Sequence, residues 1–289
     1  MTTPNAFTDF VAGFEQLLAQ GSALTAALAE PAVLPVVPDD APVCLIFSPH
    51  PDDEVIAGAL PLRLRREGAW RVVNVAVTLG SNRGRRAARW LELRRCCDFL
   101  GFELVSASGE AECGLERIDP RSAVADPAHW GNCVARVAEM LRLYRPRLVV
   151  CPHALDGHPV HIGTHGLVMD ALPAAHANWP MHVALSEYWN TQMQPGLMVE
   201  LDRQDVVDLV GALSQHVHEV ARNPYHLRLP AWFIDGVRRG AERVGAAGDL
   251  APGYRFAALY GWLHWTQGAL VPMPARNLPL SDPAPRLFA

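Results

Sequence analysis

The stretch Val43-Cys44-Leu45-Ile46-Phe47-Ser48-Pro49-His50-Pro51-Asp52-Asp53-Glu54 runs from an unbroken apolar segment into two prolines, a histidine and three consecutive acids. Val43–Phe47 shows no polar alternation, which predicts a strand buried on both faces, as in a parallel sheet covered by helices. Glu54–Arg66 follows as a predicted helix. The same alternation continues outward, with strands at Val72–Thr78, Glu103–Ser106 and Leu148–Cys151 and helices at Arg85–Leu100 and Cys133–Leu143. The class this predicts is α/β, with a mostly parallel sheet and helices on both faces. Past Ala154 the pattern loses regularity, giving a helix at 162–171, a strand near 182–188 and helices near 204–221 and 231–243. Ahead of the first strand, Phe7, Phe10, Val11, Phe14, Leu17 and Leu18 carry helical spacing, and Pro31, Pro35 and Pro38 end it. The expected organisation is an N-terminal helical extension at 1–38, a main domain at 39–270 and a Pro-rich tail at 271–289.

All 25 basic residues among the 289 are arginine. Schiff-base and pyridoxal-phosphate enzymes, kinases and Walker-type NTPases each need a lysine, so none can be built here. The 30 acidic residues leave a net charge of -5, which repels a phosphate backbone and argues against nucleic acid as a partner. No apolar run approaches the ~20 residues of a bilayer span, and Met1–Asp9 has no basic leader. The expectation is a soluble, cytoplasmic protein without a membrane span. Six cysteines show neither zinc-pair spacing nor a disulfide framework and read as reduced thiols.

Ligand sites in open parallel sheets lie at the carboxyl ends of strands, which is where His50–Glu54 falls. Adjacent carboxylates in a partly dry place need a cation, strong donors or a shared proton. A metal held by the His50 imidazole and an Asp53 oxygen supplies that cation and leaves Asp52 to move protons. Helix capping would account for one of the acids but leaves His50 unexplained. A second cluster follows the Leu148–Cys151 strand: His153, His158, His161 and His165. One neutral imidazole from it, His161 or His158, completes a three-ligand site with an open fourth position; a His161/His165 pair at i, i+4 is a competing assignment.

Together these segments resemble the PIG-L or LmbE-like zinc N-deacetylases, the family of the N-acetylglucosaminyl-phosphatidylinositol de-N-acetylase. Their His-Pro-Asp-Asp-Glu signature is matched in full by His50–Glu54. Their His-x-Asp-His signature is matched by His158-Pro159-Val160-His161, with Val160 where the family has aspartate. Weaker matches are Thr78 with Gly80, the pattern of Arg89, Glu92, Leu100 and Gly101, and Ala212 with His216. The resemblance implies a Rossmann-like LmbE-type fold, one zinc held by His50, Asp53 and His161, Asp52 as general base and His158 steadying the tetrahedral intermediate. Iron(II) suits the same donors. The missing aspartate at Val160 puts the tuning of His158 in question, with Asp156 as a candidate replacement.

Amide hydrolysis needs an activated nucleophile, charge stabilisation on the carbonyl oxygen and a proton for the departing amine, and this set of residues supplies each. The expected reaction removes an acetyl or other acyl group from an N-acylated amino sugar or related small conjugate. Arg89 and Trp189 are the expected substrate contacts, and the resemblance is compatible with a homo-oligomer. The alternatives are a non-catalytic, metal-containing carbohydrate-binding protein of the same fold, motivated by Val160, and a magnesium phosphohydrolase, which four clustered histidines disfavour.

Overall fold

The computed structural model describes residues 5–31, 33–244 and 252–289; parts of the 1–38 and 39–270 segments, namely 1–4, 32 and 245–251, lie outside the described residues. Among the described residues, nine strands form one sheet: β1 Val43–Ser48, β2 Arg71–Ala76, β3 Glu103–Ser106, β4 Leu148–Pro152, β5 Met181–Ser186, β6 Leu197–Leu201, β7 Phe256–Thr266, β8 Ala269–Pro272 and β9 Arg276–Leu278. Their order is β3-β2-β1-β4-β5-β7-β6-β9, with β8 pairing β7. The strands from β3 through β5 run parallel, and β7 is antiparallel to its neighbours. The helices are α1 Ala6–Gly21, α2 Asp53–Ile56, α3 Ala59–Gly68, α4 Arg86–Leu100, α5 Ser122–Ala125, α6 Pro127–Tyr144, α7 Pro159–Ala174, α8 Arg203–Leu213, α9 Val217–Arg222 and α10 Leu229–Arg243. This is the α/β class expected.

Side chains of β1 alternate between two cores because successive residues of a strand face opposite ways. Cys44 and Ile46 pack with Leu60 and Leu64 of α3, Leu93 of α4 and Leu209 of α8; Leu45 and Phe47 pack with Val137 and Leu141 of α6 and Leu167 of α7. Both faces are therefore dry, with each fully buried Leu, Ile or Phe contributing roughly 1.5–3 kcal/mol. That burial explains the continuous apolar strands.

Three departures from the sequence-based reading involve whole elements. The helix expected over Glu54–Arg66 is two helices, broken at Ala57-Gly58. Tyr260 of β7 fills the break, its hydroxyl donating to Ala57 O at 2.8 Å and accepting from Leu60 N–H at 3.1 Å. A Cβ on Gly58 would lie 2.8 Å from the Glu54 carbonyl oxygen, so only glycine fits there. The helix expected near 204–221 is likewise two, α8 and α9, separated by Ser214–His216. The segment read as a Pro-rich tail joins the fold. Its β9 pairs β6, and Leu287 and Phe288 are buried. Arg63, fully buried, donates to the carbonyls of Glu200, Leu278, Pro279 and Asp282 and to Glu67, tying that segment to the sheet. α1 forms where its periodicity places it, behind an Asn5 cap, with Phe7, Phe10, Phe14 and Leu17 exposed.

Candidate active site

Chain order switches between β1 and β4: the crossover from β1 goes one way to β2 and β3, and β4 returns on its other side. A cleft opens outside the carboxyl ends at such a point. It measures about 920 Å³ and is lined by residues from the loops after β1, β2, β3, β4 and β5 and from α9.

The β1 loop is held in an unusual shape. Asp52 has φ 111°, a region that residues with a Cβ seldom adopt and that costs roughly 1–3 kcal/mol. Several bonds hold it there. Asp52 N–H donates to Glu54 Oε2 at 2.9 Å, and His216 Nε2 donates to Glu54 Oε1 at 2.7 Å with both side chains fully buried. Thr78 Oγ1 donates to Pro49 O at 2.7 Å, and His50 N–H donates to Asp53 Oδ2 at 2.9 Å. The Asp52 carboxylate accepts from the Tyr225 hydroxyl. Burial, and then the neighbouring Asp53 charge, push the Asp52 carboxyl up to about 7.

Three donor atoms converge beside it. His50 Nδ1 and His161 Nε2 are 3.2 Å apart, His161 Nε2 and Asp53 Oδ2 are 3.3 Å apart, and His50 Nδ1 and Asp53 Oδ2 are 3.5 Å apart. Ligands about 2.0–2.1 Å from one tetrahedral ion sit about 3.3 Å from one another, so the donor set fits a divalent cation such as zinc. Burial raises the Asp53 carboxyl, but His161 and His50 more than offset it and hold it below the usual carboxylate range. His158 also brings a ring nitrogen within 4.8 Å of those of His50 and His161, so two triads share that pair. The Asp53 triad matches the edge length of a tetrahedron. His158 Nδ1 accepts from Val160 N–H at 3.3 Å as the N-cap of α7, and burial, then His50 and His161, lower its pKa.

Histidine density in the 153–165 stretch resolves into two jobs. His153 bonds Asn190 O and Leu155 N–H, and His165 bonds Pro152 O, so both brace loop backbone, and the His161/His165 pairing does not form. His158 and His161 face the cleft. Behind His161, Asp156 places Oδ1 3.5 Å from Nδ1 while accepting from the backbone N–H groups of His158 and Trp189. Val160 lines the cleft as an apolar surface.

Arg89 and Trp189 both line the cleft. Trp189 is 68% exposed and stacks on His158 at 5.9 Å between centroids, leaving a free aromatic face. The Arg89 guanidinium is directed elsewhere than the sequence suggests: it donates to Leu79 O and Pro51 O and lies 3.6 Å from Glu219, bridging the loops after β1 and β2. Glu54 and Tyr225 carry site geometry that sequence reasoning missed. In the sequence Glu54 is one member of an acidic cluster, and Tyr225, in a short turn after Pro224, gives no pattern to find.

Residues 45–172 match the protein family described as PIG-L, GlcNAc-PI de-N-acetylase. A curated relative, 2'-N-acetylparomamine deacetylase of Streptomyces fradiae, is 30% identical over 158 residues, which is 44% of this chain. The match spans about half of that relative's length, 51%. Among solved structures, the N,N'-diacetylchitobiose deacetylase of Pyrococcus horikoshii aligns over 91% of this chain and 94% of its own, with TM-score 0.52 and 16% identity. GalB, the 4-carboxy-2-hydroxymuconate hydratase of Pseudomonas putida KT2440, aligns over 82% of this chain and 100% of its own, with TM-score 0.58 and 15% identity. At such identities the likeness is one of fold. Because that fold carries both an amide hydrolase and a hydratase, function has to be argued from the site.

Proposed function

We propose that this protein is a metal-dependent hydrolase that removes an acetyl or other acyl group from the amine of an N-acylated amino sugar or related small conjugate. The observation that carries the reading is the convergence of His50, Asp53 and His161, from loops more than a hundred residues apart in sequence, with Asp52 held beside them in a strained backbone. Curated similarity to an N-acetyl amine deacetylase supports the reaction class.

In this reading His50, Asp53 and His161 hold the cation, zinc or iron(II). When bound it supplies Lewis acidity and lowers the pKa of an attacking water. Asp52 accepts the proton of that water and returns it to the departing amine, and the Tyr225 hydroxyl fixes which carboxylate oxygen is free to do so. His158, lining the same cleft, hydrogen-bonds the carbonyl oxygen as charge gathers there. Asp156 orients His161 from behind, the job of a carboxylate next to a ligating imidazole. The exposed face of Trp189 offers a platform for a sugar ring.

The test is acetate release from a panel of N-acetylated amino sugars by zinc-supplemented protein and by Asp52→Asn. The reading expects turnover by the former and a loss of about 10²–10⁴-fold in the latter. Absence of acetate from both, across the panel, contradicts it and favours a carbohydrate-binding role.

A further inference from the structure

The arginines at the mouth of the cleft point to the substrate's other end. We propose that the acylated amine conjugate carries a phosphate or carboxylate, held by Arg83, Arg85 and Arg222; this rests on the cleft being the substrate site. Six of the chain's 25 arginines line that cleft, in a protein whose net charge is -5. Apart from Asp52 and Asp53, which face the cation site, the carboxylates of the lining are Glu116, Asp119 and Glu219. Asp119 is engaged with its own turn, accepting from Arg121 N–H and Ser122 Oγ.

Pairing leaves positive charge over. Buried Glu219 is shared by Arg85 at 2.8 Å, Arg222 at 2.5 Å and Arg89 at 3.6 Å. One carboxylate thus meets three guanidiniums. Glu116 is shared in the same way by Arg86 at 2.5 Å and Arg83 at 3.6 Å. Arg117 is matched by Asp126 at 3.0 Å and adds nothing. Buried Glu219 anchors the guanidinium heads of Arg85 and Arg222, the Arg222 side chain remaining 72% exposed, while Arg83, 79% exposed, meets only the partly exposed Glu116 and keeps most of its donors in water. A guanidinium fork matches the oxygens of phosphate and carboxylate, and fixed forks lose less freedom on binding. Arg222 and Asp52 line the same cleft. The same excess repels a conjugate bearing several ammonium groups.

The experiment compares product-like amines that need no turnover. Calorimetric Kd values on the metal-loaded, full-length protein are taken for glucosamine, glucosamine 6-phosphate and muramic acid, the second and third testing phosphate and carboxylate separately. Tighter binding of at least one anionic amine than of glucosamine, by about tenfold and weakening with salt, is expected. The Arg83→Ala/Arg222→Ala double variant, altered only at exposed side chains, is expected to bring that ratio to within about threefold of one. Equal affinities for all three amines overturn the proposal. So does a preference that survives in the double variant, since the anion then binds at the cation. Acetate release from N-acetylglucosamine is measured on the same samples, so loss of the deacetylase reading is seen separately from loss of the charge preference.

Discussion

Glu54 Oε1 lies 2.7 Å from His216 Nε2, with both side chains fully out of contact with solvent, and Glu54 Oε2 accepts the Asp52 amide. A histidine 162 residues away thereby fixes the backbone of the residue assigned to proton transfer. His216→Leu leaves that carboxylate unpaired in a dry site and frees the Asp52 loop. The expected outcome is a fall in kcat of about 10²-fold, with bound metal unchanged and KM little altered. Steady-state kinetics with metal analysis of the same samples check it; a loss of metal in step with activity would show that His216 supports the ligands instead.

Asp156 is expected to act on the cation through His161. Asp156→Asn keeps one of the two oxygens that accept the His158 and Trp189 amides and removes the charge facing His161 Nδ1. Affinity for zinc should fall by about 10–100-fold, read by competition with a chelator. Unchanged affinity would assign Asp156 to loop shape alone.

Arg63 is expected to be a stability residue remote from turnover. Arg63→Met leaves Glu67 and four backbone carbonyls without their donor, at a cost of about 3–5 kcal/mol. Chemical denaturation is the measurement; a change below ~1 kcal/mol would mean that water replaces the guanidinium.

His182 makes stability depend on pH. Burial, then His264 and Arg147, lower its pKa to about 4, and its ring stacks on Trp262 at 4.8 Å. The unfolded chain therefore takes up this proton first as pH falls. The stabilisation is complete above the unfolded pKa of 6.5 and is lost as pH drops toward 4. Allowing for partial exposure, the loss is about 1–2 kcal/mol, and His182→Phe should flatten it. Parallel pH–stability curves for both proteins would refute this.

The parts legible in sequence were those where one local pattern decides the outcome. Unbroken apolar runs located β1 and β4, and the acids and histidines after them supplied His50, Asp52, Asp53 and His161. Contacts between distant segments gave no such pattern. Arg63 sits in a Leu-Arg-Leu-Arg-Arg run that reads as a solvated face, yet its four backbone partners are more than 130 residues away. β7 carries Tyr260, Trp262 and Trp265 in an aromatic run that suits a strand, but Gly261 interrupts it. The choice between Asp53 and His158 as third donor likewise depends on distances that only the folded chain sets.

Metal stoichiometry across single-residue variants tests the central claim most directly. The account predicts about one zinc per chain in the wild-type protein and in His158→Ala, and its loss in His50→Ala, Asp53→Ala and His161→Ala. Retention in Asp53→Ala with loss in His158→Ala would contradict the assigned triad, and a wild-type protein that binds no divalent ion would contradict the hydrolase itself.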